Sequence, residues 1–72
     1  MKPIITISHF VTFLNGKSLI VEIEEYPNSY IVHLVDEYNH LLYSVTFKKC
    51  SNNSISSMIY TMRCIAVQLN FI

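Results

Sequence analysis

Seventy-two residues with five basic and five acidic side chains and no net charge form one small domain at most. A hydrophobic share of 51% against 14% charged excludes a disordered tail, a multidomain enzyme and a polybasic nucleic-acid arm. Size scaling puts burial at roughly 60% of the unfolded surface. That is worth on the order of 110 kcal/mol, and ordering the chain costs about the same. Extra burial against a partner is therefore expected to help this chain.

All five acids lie between Glu22 and Glu37, a stretch without Lys or Arg, and read as solvated strand ends. Cys50 and Cys64 are too few for a disulfide framework and suit a reducing compartment, so a cytoplasmic location is expected. No apolar run approaches the 18 residues of a membrane span. Met1–Leu14 is interrupted by Ser8, His9 and Thr12 and lacks a cleavage signal, so it reads as a strand rather than a leader.

In chain order, a two-residue apolar period covers the first two-thirds and a helical period the rest. The expected strands are roughly 4–14, 17–25, 30–36 and 41–48, followed by a helix over roughly 53–70, all within a single domain spanning 1–72. Asn15-Gly16 admits a two-residue hairpin turn or a three-residue loop, Leu14-Asn15-Gly16, with Gly16 left-handed. Only the second sets Val11 opposite Leu19, His9 opposite Val21 and Ile7 opposite Ile23, apolar on one face. Pro27 suits a type I turn that pairs Ile23 with Val32 and Val21 with Leu34. A four-residue third loop pairs Asp36 with Leu41 and Leu34 with Tyr43.

The expected fold is thus α+β: a four-stranded antiparallel meander with one C-terminal helix packed across one face. The core face carries the rows Ile7–Ile23–Val32–Val45 and His9–Val21–Leu34–Tyr43. Ser51-Asn52-Asn53-Ser54 offers several helix caps in succession. Ile55, Met58, Ile59, Met62, Ile65, Ala66, Leu69 and Ile72 then fall on one helical stripe. Such a helix, with a single Ala, depends on docking for its stability.

Two apolar sets remain outside this core. Phe10, Ile20, Val35 and Leu42 form a row across the outer sheet face beside His33. Tyr60, Cys64, Val67 and Phe71 form a second helical stripe opposite the first. Contiguous apolar rows on surfaces expected to be solvated point to protein contact. The outer row with His33 is the expected protein-binding surface, and the second stripe the expected homodimer interface.

Other chemistries find less support. Cys50, Cys64, His9, His33 and His40 lack the short spacings of a zinc site, so neither metal nor cofactor is expected. Eight serines include no nucleophile elbow, one glycine makes no phosphate loop, and Glu22 and Glu24 lie on an open face, so no enzyme is expected. Lys2, Lys17, Lys48 and Lys49 are the only plausible phosphate contacts, which makes a small nucleic-acid-binding regulator the weaker alternative. Ten Ile and six Asn beside one Ala, one Gly and one Arg suggest an AT-rich gene, and small stand-alone interaction proteins of that flavour are common among phage and mobile-element accessory genes that block a host protein. The functional expectation is accordingly a small non-enzymatic interaction module, a dimeric binder or inhibitor of another protein.

Overall fold

The computed structural model describes residues 2–50 and 53–71. Ser51, Asn52 and Ile72, named above for the cap and the stripe, lie outside the described residues, as does Met1. Four strands, β1 (Ile5–Thr12), β2 (Ser18–Glu25), β3 (Ser29–Val35) and β4 (Leu41–Lys48), form one antiparallel sheet in the order β1-β2-β3-β4. One helix, α1 (Ile55–Gln68), lies across one face, so the fold is α+β, a meander with a C-terminal helix.

The turns set the registers. Phe13 N–H donates to the Lys17 carbonyl and Gly16 N–H to the Phe13 carbonyl, both at 2.9 Å. This closes a three-residue loop whose Gly16 holds φ at 86°, a region costly for any residue with a Cβ. Val11 faces Leu19, His9 faces Val21 and Ile7 faces Ile23. At the second turn Tyr26 N–H donates to the Ser29 carbonyl, and Ile23 faces Val32.

The third loop differs from expectation. It holds three residues, Glu37, Tyr38 and Asn39, because Asn39 adopts φ 66° and Asp36 N–H reaches the His40 carbonyl. Asp36 Oδ1 accepts from the Tyr38 and His40 N–H groups at 2.9 and 2.8 Å. These bonds, that to His40 foremost, hold its carboxyl below the usual aspartate range. The shorter loop sets Val35 opposite Leu41, and a register shift next to Leu34/Val35 leaves Leu42 as the extra residue before Leu34 meets Tyr43. Asp36 therefore does not face Leu41.

The core gathers Val11, Phe13, Leu19, Val21, Ile23, Val32 and Leu34 beneath Met58, Met62 and Ala66. Those three helix positions, each four apart, form the stripe that docks. Ile59 and Ile65 pack at its margins, whereas Ile55 and Leu69 near the helix ends are exposed. A helix is about 10 Å wide and four strands span more, so the flanks of the core face stay open. His9 and Tyr43 are accordingly exposed rather than buried.

Both helix ends are closed locally. Ser54 Oγ accepts from Ser57 N–H and Ser57 Oγ from Ser54 N–H, a reciprocal cap. At the other end Asn70 takes φ 57°, Asn70 N–H donates to the Val67 carbonyl, and Phe71 N–H donates to the Ala66 carbonyl. This pattern is a Schellman closure, with Asn in the place glycine usually fills. Among the described residues, no helix is long and apolar enough to cross a membrane.

Candidate protein-contact surfaces

The outer face of the sheet carries a polar cluster and an apolar row side by side. His33 Nε2 lies 3.0 Å from Glu24 Oε1, and its Nδ1 lies 2.7 Å from Ser44 Oγ. An ionised carboxylate can only accept, so Nε2 donates to Glu24, while Nδ1 and the Ser44 hydroxyl share the second hydrogen bond. Tyr26 donates its hydroxyl to the same Glu24 oxygen, and desolvation followed by that carboxylate raises the phenol pKa. The register alone places His33 opposite Glu22, but the ring takes the diagonal carboxylate instead.

Serine, imidazole and carboxylate in this order resemble the parts of an acyl-transfer relay. Backbone N–H groups of a sheet lie in its plane, however, and do not rise toward Ser44 to receive an oxyanion. The cluster acts as a cross-strand brace joining β2, β3 and β4. Among the described residues, no three His, Cys, Asp or Glu side chains converge as a metal site.

In the adjoining row Phe10 faces Ile20, and Ile20 faces Val35. The bulge corrects the fourth member: Leu41 pairs with Val35, while Leu42 is half-buried against the core. The row is thus Phe10–Ile20–Val35–Leu41. Its ends are open, with Phe10 at 73% and Leu41 at 63% exposure, while Val35 between them is at 7%. A shallow hollow of about 240 Å³ joins Val35 and Leu41 to Glu22, His33 and Asn39.

The second helical stripe is also rearranged. Tyr60 and Val67 are exposed, with Cys64 half-exposed between them. Phe71 leaves the stripe, because the Schellman turn returns it to the core. Its ring lines a separate crevice with Leu19, Leu42 and Tyr38. In its place the first hairpin loop joins the stripe. Phe13, Tyr60, Arg63, Cys64, Val67 and Gln68 line an open hollow of about 350 Å³. Phe13, Leu14, Asn15, Arg63 and Val67 line the next one. Arg63 lies over the Phe13 ring at 5.5 Å from its centre, a cation–π contact that ties helix to loop.

Leu14 at the loop tip is fully exposed. The sequence did carry a signal for it, since a leucine inside a three-residue hairpin loop has no strand partner. Ser44 and Glu24 were legible too, as row and diagonal neighbours of His33. Comparison with family models, with curated proteins and with solved structures gives no match to this chain.

Proposed function

We propose that this chain is a small non-enzymatic interaction module that binds another protein through the surface formed by Leu14, Tyr60, Cys64 and Val67. The observation carrying this reading is that Leu14 and Val67, from different elements, line one hollow with Phe13 and Arg63. An apolar surface built from loop and helix together is wider than either element presents alone. Its one charge, Arg63, suits a partner segment that is apolar and carries a carboxylate. The outer row Phe10–Ile20–Val35–Leu41 is a second contact surface on the opposite side of the sheet. Two free thiols, Cys50 and Cys64, support a reducing compartment such as the cytoplasm. Acting as a binder or inhibitor, the module has its activity in occupying a partner's surface.

The test is capture by the immobilised chain, read by mass spectrometry, beside Val67→Asp and Leu14→Asp. A protein retained by the parent chain and lost with both variants, at unchanged thermal midpoint, supports the reading. Equal retention by all three chains rejects this surface. Saturable binding of duplex DNA or single-stranded RNA at low salt would favour a nucleic-acid role instead.

A further inference from the structure

The two edges of the sheet are built differently. On β4 the bulge at Leu42 breaks the ladder geometry, Lys48 places a charge at the strand end, and the Asn53 side-chain amide donates to the Lys48 carbonyl. Bulges and edge lysines are devices by which sheets discourage further pairing. β1 has none of them. Ile5–Thr12 runs eight residues without a Lys, Arg, Asp, Glu, Pro or register shift, and Ile5 and Phe10 are exposed along it. Among the described residues, nothing pairs with its outer side.

The groups on that side follow from the first turn. Phe13 bonds inward to Lys17, so Val11, His9 and Ile7 also bond inward to β2 by alternation. Thr6, Ser8, Phe10 and Thr12 therefore direct N–H and C=O groups outward, unpaired along the edge.

We propose that this edge is a self-association site, at which a second copy of the chain adds its own β1 antiparallel to form one eight-stranded sheet. A twofold joining two antiparallel edge strands stands perpendicular to the sheet and keeps each face on its own side. Centred on His9, it sets Ile7 opposite the partner's Val11, Ile5 opposite the partner's Phe13 and Thr6 opposite the partner's Thr12. Phe10 then lies opposite the partner's Ser8 and diagonal to the partner's Phe10, covering the exposed ring. On the helix-bearing face the rows flanking the axis set apolar side chains against apolar ones, and no formal charge opposes another. Centring on Ser8 instead sets Ile7 against the partner's His9 and leaves Phe10 against the partner's Thr6. The strand's complementarity to itself selects a second copy as the occupant.

The contact is modest in size. Nine paired residues make a strip about 30 Å long and about 10 Å deep on each copy, near 600 Å² in total. That is below the roughly 1,200 Å² of a standard stable interface, so the dimer is reversible. It forms and separates with concentration.

A cross-link reads the register directly. His9 sits at a non-hydrogen-bonded pair across the axis, where Cα atoms are about 4.5 Å apart, within the range a disulfide spans. In a Cys50→Ser, Cys64→Ser background, His9→Cys oxidised at about 100 micromolar should become mostly covalent dimer. Ile7→Cys and the loop control His40→Cys should stay mostly monomeric. Adding Ser8→Pro, or Phe10→Lys as a second edge block, should cut His9→Cys cross-linking at least fivefold. Proline is tolerated where an edge N–H faces outward, and Phe10 is exposed, so both variants should keep the fold. Cross-linking of His9→Cys no greater than that of His40→Cys overturns the proposal. So does a dimer of the parent chain that Val67→Asp dissolves and the edge variants do not. Loss of captured partner in Val67→Asp with the His9→Cys cross-link intact leaves the two surfaces independent.

Discussion

Met62→Ala is the sharpest test of how the helix is phased on the sheet. Met62 is completely buried between Met58 and Ala66 over the central strands. The substitution removes three heavy atoms beyond Cβ, worth about 2.4 kcal/mol in transfer at ~0.8 kcal/mol each, and leaves a cavity besides. A total near 3 kcal/mol is large for a domain of this length, whose whole stability is on the order of 4–11 kcal/mol. With an unfolding entropy of about 2.1 cal/mol/K per residue, the midpoint should fall by about 20 °C. Val67→Ala, at a position 56% exposed on the far side of the helix, should stay within about 0.5 kcal/mol. Thermal melts followed by circular dichroism measure both. Comparable losses in the two variants would refute the phase assigned to α1, and with it the reading of Tyr60, Cys64 and Val67 as free surface.

The bulge in β4 predicts that Leu42→Ala costs about 1–2 kcal/mol and Leu41→Ala under about 0.5, the reverse of a four-residue loop; urea unfolding distinguishes them. Gly16 has open space around the position of a Cβ, yet φ 86° makes Gly16→Ala cost on the order of 1 kcal/mol. Asn70→Gly, in a left-handed closure already tolerated by Asn, should raise the melting midpoint by a few degrees or leave it unchanged. The lowered pKa of Asp36 means that its loop bonds contribute fully above the ordinary value of 3.8 and fade as pH falls through the lowered one. Protection of the Tyr38 and His40 amides relative to their intrinsic exchange rates should therefore fall only at acid pH, and Asp36→Asn should remove that dependence.

Turn chemistry and face patterning made most of this fold legible in the sequence. One loop choice at Gly16 fixed which side of β1 meets the helix, and hydrophobic pairing decided between the two options. The third loop was harder because the left-handed residue is Asn39, and Asn carries a weaker signal for that conformation than Gly. A four-residue loop and a three-residue loop followed by a bulge consume the same number of residues. Both meet at Leu34 opposite Tyr43, so the two alternatives differ only at Val35, Asp36 and the residues His40 to Leu42 that face them. Phe71 was displaced for a related reason. Helical spacing in the sequence runs on past Asn70, where the chain has already reversed, so the apparent 4-3-4 stripe ends on a residue no longer in the helix. The polar brace around His33 follows from register plus one diagonal, which pairwise opposition alone does not reveal.

Surplus surface and a near-even expected balance of burial against ordering have one origin in this architecture. The folded chain exposes 4,954 Å², somewhat more than the roughly 4,600 Å² that size scaling gives for its mass. Its extents of 36 × 24 × 17 Å describe a slab of two layers, with a single helix serving four strands. Among the described residues, nothing covers one face of the sheet, one straight edge or the far side of the helix. A ligand that binds only the folded form adds stability in proportion to the logarithm of its concentration over its dissociation constant. Each uncovered surface is thus a place where association can supply burial that the chain lacks alone. Pairing through β1 keeps both helices on the same side of the joined sheet, because the twofold preserves the faces. The loop-and-helix hollows of two copies then lie on one side of the joined sheet, and a partner with two matching segments gains from their effective concentration without any new contact.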